Sequence, residues 1–258
     1  MNPRKHLSQF FLLNKSYLRR ITECVKLEEG EVILEIGAGR GELTQFLATK
    51  RRKIICVEID SRLCNILREK FRNFSWIEIF CRDIRSFSLP SEKIVAVGNI
   101  PYHLSFETIE FLIKNREKIT RAYLTFQKEF AEKLVAKVGS KSYSFLTCFL
   151  GLYAKAKILF NIPKRCFYPK PKVETSLTEI EFKPCSEFFL KAKERDFLRF
   201  LKKIFQQRRK KIVNILKDIY PDKKKIESFL LSKNILPSLR PEDIELKYFI
   251  EIYNSLQK

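Results

Sequence analysis

A doubly wound α/β fold of the Rossmann type, followed by a smaller all-helical domain, is what the order of hydrophobic patterns predicts. Three observations carry that expectation. Between Glu31 and about Phe182, short β-branched runs alternate with stretches whose apolar residues fall at helical spacing, the pattern of parallel strands joined by crossover helices. A glycine-rich turn, Glu35-Ile36-Gly37-Ala38-Gly39-Arg40-Gly41, stands directly behind the first of those runs. After Phe182 the strand-like runs stop and basic amphipathic sequence takes over. The expected domains are therefore residues 1–182 and 183–258, with the junction within Lys183 to Ser186.

The expected strands are EVILEI, KIICVEI, WIEIF, IVAVGN and AYLTFQ, each read as buried on both faces. LTQFLATK, RLCNILREKF, FETIEFLIKN and KEFAEKLVAKV carry helical periodicity. Ahead of Glu31 an irregular arm containing Phe10 and Phe11 precedes a helix, and FLKAKERDFLRFLKKIFQQRRKKIVNILKDIY reads as helical throughout.

Composition narrows the function before any motif does. The chain has 258 residues, 45% of them hydrophobic, which suits a globular core and excludes a disordered polymer or a disulfide-stapled miniprotein. Lys and Arg total 51 against 30 Asp and Glu, a formal charge of +21. That excess points to a polyanionic partner, nucleic acid or an acidic membrane surface. The seven cysteines are odd in number, form no CxxC pair and sit in apolar runs. They read as buried thiols of a reducing compartment, and no metal site is expected. No apolar run approaches the roughly 18 to 20 residues of a spanning helix, and MNPRKHLSQFFLLNKS lacks a signal peptide's long apolar core. A soluble, monomeric protein of the cytoplasm or an organellar equivalent is expected, with no membrane partner.

The glycine turn is the first chemical clue. Glycines between strand and helix permit positive φ and let a ligand approach the main chain. A dinucleotide fingerprint would be G-x-G-x-x-G, whereas Gly41 follows Gly39 by only two positions, so a dehydrogenase is disfavoured. Glu58 ends the next strand, where a carboxylate can accept from both hydroxyls of an adenosine ribose. Asp60 is better read as the N-cap of the following helix. Asp83, at the end of the third strand, is placed to accept from an adenine amino group, with a turn or cap as its alternative reading.

Gly98-Asn99-Ile100-Pro101-Tyr102-His103-Leu104-Ser105 closes the fourth strand. An aromatic exocyclic amine is a poor nucleophile because its lone pair is delocalised into the ring. Acceptors on its two N–H groups favour the geometry that frees that pair. The Asn99 side-chain carbonyl and the Ile100 carbonyl, stiffened by Pro101, supply two acceptors, and Tyr102 supplies a ring to stack on the base. His103 is read as pocket lining. No general base is required, since the alkylated ammonium loses its proton to water.

In the order SQFFLLN, EIGAGRG, VEID, Asp83, GNIPYHLS, QKE, KSYSFL, FYPKPKV, FQQRRKKIVNIL and RPEDI, the chain resembles the rRNA adenine N6-dimethyltransferases, notably their small-subunit enzymes, over nearly its whole length. The resemblance implies a seven-stranded methyltransferase sheet with a reversed last pair, and S-adenosylmethionine as cofactor. It implies dimethylation of neighbouring adenosines of small-subunit rRNA during ribosome biogenesis. Carried over by position, Gln9, Phe10 and Leu12 border the methionine part of the cofactor. Ser8 and Phe10 stand where the family has Gly and a polar residue. Glu35, Gly37, Gly39, Glu58, Asp83 and Asn99 fall on cofactor positions, and Phe167 on an aromatic that sandwiches the adenine against Tyr102. Two alternatives stay open: a large-subunit enzyme of the macrolide-resistance type, and a non-catalytic assembly or transcription factor.

Basic clusters are the expected RNA contacts. Lys170 and Lys172 flank the Phe167 loop. Arg199, Lys202 and Lys203 precede Arg208, Arg209, Lys210 and Lys211 on one expected helix. Charge runs are usually solvated faces, but the overall excess favours phosphate contact.

Overall fold

The computed structural model describes residues 10–183, 191–220 and 222–256. Gln9 lies outside the described residues. Two compact units form, one from Met1–Ala131 and Ala154–Pro184, the other from Glu132–Tyr153 and Cys185–Lys258.

The first unit is built on a sheet. Its parallel strands are β2 (Val32–Ile36), β3 (Ile54–Glu58), β4 (Ile77–Cys81), β5 (Ile94–Asn99) and β6 (Ile119–Gln127), which coincide with the five expected runs. β7 (Ala154–Ile162) and β9 (Thr175–Phe182) complete seven strands in the order β4-β3-β2-β5-β6-β9-β7. β9 inserts between β6 and β7 and runs antiparallel to both. β2 and β3 are buried along their whole length. β4 is not buried on both faces as its sequence suggested, because it is the edge strand, and its residues alternate between half-buried and exposed.

The helices α1 (Lys15–Cys24), α2 (Glu42–Leu47), α3 (Ser61–Lys70) and α4 (Ser105–Lys114) belong to this unit. Their starts follow from capping chemistry. Asn14 accepts from the Ser16 and Tyr17 amides at 3.1 and 3.2 Å. Asp60 accepts from the Arg62 amide at 3.1 Å, the role its position predicted, and each cap contributes about 1 kcal/mol. The arm before α1 is a strand: β1 (Phe11–Leu12) pairs antiparallel with β8 (Phe167–Tyr168).

The strand order turns about β2, with β3 on one side and β5 on the other. In open α/β sheets the crevice for a ligand lies beyond the strand ends at such a switch point. The glycine turn and the NIPY segment both leave from there.

The second unit has a helical core. It contains α6 (Phe145–Gly151), α7 (Lys191–Gln206), α8 (Ile212–Lys217), α9 (Lys223–Ser232) and α10 (Leu246–Leu256). Phe197, Leu201, Ile212, Leu216 and Phe249 share one buried cluster with Tyr143 and Cys148. That apolar bonding draws residues 132–153 into the helical unit, whereas the sequence placed them with the strands. α5 (Lys128–Leu134) stops before the end of its expected run; Gly139, at φ +80°, lies in the turn beyond it, and its amide donates to the Glu242 carbonyl at 2.7 Å. Arg208 to Lys210 are likewise not helical. α7 ends at Gln206, residues 207–210 form a turn, and Lys211 is the N-cap residue of α8.

Candidate active site

The turn after β2 holds Gly37, Gly39 and Gly41 at φ +71°, +60° and +78°, values that side chains strain against. A cleft of about 180 Å³ opens above it. Its lining includes Phe10, Gly37, Gly39, Glu58, Asp83, Asn99, Ile100, Pro101, Tyr102 and His103. The structure thus brings together residues from the ends of β2, β3, β4 and β5 that the sequence placed at one site.

Glu58 is the buried acid of the cleft, 6% exposed. Its two carboxylate oxygens accept from the Gly39 amide at 3.0 Å and the Asp60 amide at 2.9 Å. Burial pushes its carboxyl above the usual range, opposed by those backbone donors. Asp83 also lines the cleft, but its carboxylate is already occupied by the Arg85 amide at 2.9 Å and the Arg85 guanidinium at 2.5 Å. That guanidinium holds the Asp83 carboxyl below its usual range. Asp83 thus caps a 3₁₀ turn, its alternative reading, while lining the cleft. Arg82 and Arg85 line the cleft as well, although no sequence pattern singled them out.

Asn99 is fixed at both ends. Its Nδ2 donates to the Phe10 carbonyl at 2.6 Å, and its Oδ1 accepts from the Thr125 hydroxyl at 2.6 Å. Thr125 is its register partner across β5 and β6. An amide oxygen has two lone pairs, so one stays available after Thr125 is served. Phe10 thus keeps a backbone contact to the site although its side chain is not the family's polar one. Tyr102 has its hydroxyl 2.9 Å from Thr175 Oγ1 and its ring stacked on Phe10 at 5.1 Å. Burial raises its phenol above the ordinary value. Thr125 and Thr175 are buried hydroxyls at strand positions, visible only once the strands are paired.

Glu35 lies behind the turn, 1% exposed, beside a small recess that Asn99 and Gly39 also line. Burial raises its carboxyl to about 8. Leu12 borders the same recess but belongs with Phe167 to the buried core. Phe167 is 5% exposed and does not line the cleft, so its expected place against the target base is corrected to a core position.

Over residues 1–258 the sequence matches the family of ribosomal RNA adenine dimethylases. The chain belongs to that family. The ribosomal RNA small subunit methyltransferase A of Mycoplasma mobile is 35% identical, covering 99% of this chain and 98% of that protein. The protein of the same description from Fusobacterium nucleatum subsp. nucleatum is 36% identical over 96% of each. A dimethyladenosine transferase from Plasmodium falciparum superposes with a TM-score of 0.82 at 26% identity, covering 95% of this chain and 97% of that one.

As an adenine dimethylase the chain is an S-adenosylmethionine-dependent methyltransferase, and its cleft fits that cofactor. Positive-φ glycines give a main-chain floor, Glu58 offers acceptors at a strand tip, and Asn99 lines the same cleft. Among the dimethylase's basic residues, Lys170, Lys172, Lys202, Lys203, Arg209, Lys210 and Lys211 are exposed. Arg199 pairs with Asp196 at 3.2 Å on the surface, a contact weak enough for phosphate to displace. Arg208 is spent internally: its guanidinium donates to Glu242 at 2.6 Å and to the Lys141 carbonyl at 3.0 Å. These bonds tie the α7–α8 turn to residues 141 and 242 of the helical unit.

Proposed function

We propose that this dimethylase transfers methyl groups to N6 of adenosines in small-subunit rRNA during ribosome biogenesis, two methyls to each of two neighbouring adenosines. The single observation that carries the reading is the doubly anchored Asn99 amide at the rim of the cleft, followed directly by Pro101 and Tyr102. The names of the curated bacterial relatives support the small subunit as substrate.

When bound, S-adenosylmethionine supplies an electrophilic methyl on a positively charged sulfur. Glu58 would accept from its ribose hydroxyls and Asp83 would face its adenine, while Gly37 and Gly39 would leave the main chain open to it. The free lone pair of Asn99 Oδ1 and the Ile100 carbonyl accept from the target amine, turning its own lone pair toward the methyl group. The chemistry the cofactor would supply is a methyl carbon for that nitrogen, the sulfur keeping the electron pair of the bond it gives up. The amine proton leaves to water, so none of the lining residues acts as a base. Positioning carries most of the rate in such a site.

The helical unit is assigned a supporting RNA contact through the exposed lysines and arginines of α7 and the turn after it. A reducing compartment that contains rRNA, the cytoplasm or its organellar equivalent, suits the buried thiols of Cys56, Cys64, Cys148 and Cys166. No helix among the described residues is long and apolar enough to cross a membrane.

Incubation with labelled S-adenosylmethionine and immature small subunits, large subunits or free rRNA, followed by mass spectrometry of the modified base, tests the reading. Dimethyladenosine at adjacent positions of small-subunit rRNA is the expected product. Label confined to large-subunit rRNA, or no label at all, would overturn it.

A further inference from the structure

The β1–β8 ladder turns Tyr168, the neighbour of the expected aromatic, toward the cleft side. In an antiparallel pair, opposed residues share a face and successive residues alternate. Leu12 opposes Phe167, and both are buried in the core. Phe11 opposes Tyr168, so these two share the other face, and Phe11 lines the cleft. Tyr168 is 53% exposed and makes no ring contact with any described residue.

Four cations surround it in the chain. Lys164 and Arg165 precede β8, Lys170 and Lys172 follow it, and all four are exposed. None of them forms an ion pair among the described residues. An aromatic ring open to solvent beside unpaired cations is the combination that binds a single strand of nucleic acid, the ring taking a base and the cations its phosphates. An acidic protein surface would satisfy the cations but has no use for the ring.

We propose that Tyr168 is a stacking platform for an unpaired base flanking the target adenosine, with Lys170 and Lys172 on the adjoining phosphates. The proposal rests on the rRNA reading above and adds to it a second nucleotide subsite outside the cofactor cleft. Its residue is not the aromatic that family resemblance pointed to, but the one after it.

Two measurements on the full chain test it. The first is quenching of 2-aminopurine in a short single-stranded RNA, titrated with wild type, Tyr168→Ala, Tyr168→Leu and Tyr168→Phe. The second is steady-state methylation of undermethylated small subunits by the same proteins, with S-adenosylmethionine affinity and thermal melting as controls. Tyr168→Ala and Tyr168→Leu should weaken RNA binding and raise KM for the subunit about tenfold, the size of one lost base–aromatic stack. Their kcat, cofactor affinity and melting should stay at wild-type values, and Tyr168→Phe should restore binding. Equal quenching by wild type and Tyr168→Leu would overturn the platform, as would an unchanged KM. Should wild type methylate no rRNA particle, the substrate reading fails, and the quenching titration still decides whether Tyr168 stacks a base.

Discussion

At Asn99 one amide is clasped from both sides, its nitrogen by the Phe10 carbonyl and its oxygen by the Thr125 hydroxyl. Asn99→Ala should abolish methyl incorporation while the chain stays folded; retained turnover would remove the amide from the chemistry. Thr125→Val keeps the shape but deletes the hydroxyl that aims Oδ1. A fall in kcat of about fivefold with little change in KM is expected, from the loss of roughly 1 kcal/mol of orienting hydrogen bond. Glu35 makes a different prediction. Its carboxyl lies at about 8 in the fold against 4.5 as the ordinary value, so between those pH values the folded chain keeps a proton that the unfolded chain has lost. Stability therefore falls as pH rises through that window. Glu35→Gln removes the titrating group, and its melting temperature should gain on wild type from pH 5 to 8; parallel curves would mean Glu35 is ionised in the fold. Asn99 and Glu58 were legible as cleft residues from sequence because each ends a strand next to a recognisable turn, and Tyr102 and Asp83 because they follow a strand end within three residues. Thr125 and Thr175 were not, since a threonine inside a β-branched run carries no mark of what lies across the sheet.

Among the elements, β2 and β5 leave no room for a side chain where Gly98 sits. A methyl there would stand 2.5 Å from the Ile36 carbonyl oxygen, a backbone atom that cannot swing away. Gly98→Ala should cost about 1 to 3 kcal/mol by overpacking, measured by chemical denaturation, and should lower methylation as well because Asn99 is the next residue. Wild-type stability in that variant would show that the two strands separate freely. The five parallel strands were readable as β-branched runs, whereas β7, with its Ala-Lys-Ala-Lys start, dilutes the apolar signal. The two-residue β8 is too short for any periodicity, and a register shift of one residue exchanges the faces of Phe167 and Tyr168. The α7–α8 turn was missed because it holds neither glycine nor proline, and Arg208 finds Glu242 only through the tertiary fold.

For the whole molecule, the charge of +21 governs encounter with RNA. If about six exposed cations neutralise phosphates, affinity should fall about a thousandfold between 50 and 200 mM salt. Replacing both Lys210 and Lys211 by alanine should flatten that logarithmic slope by about 2. Arg208→Ala should leave the slope unchanged and lower thermal stability instead; an equal flattening by Arg208→Ala would place its guanidinium on RNA. The two-domain plan was visible as a change of pattern at Phe182. The recruitment of residues 132–153 was not, since Cys148 and Tyr143 look the same whether they pack on a sheet or on Phe197. The two rungs joining β1 to β8 also act as a mechanical splint. One side carries on into Phe10, whose carbonyl steadies the reactive amide, and the other into the lysine-bearing loop. The loop and the amide are thereby tied through one two-rung ladder, so a substitution that opens the ladder should disturb both.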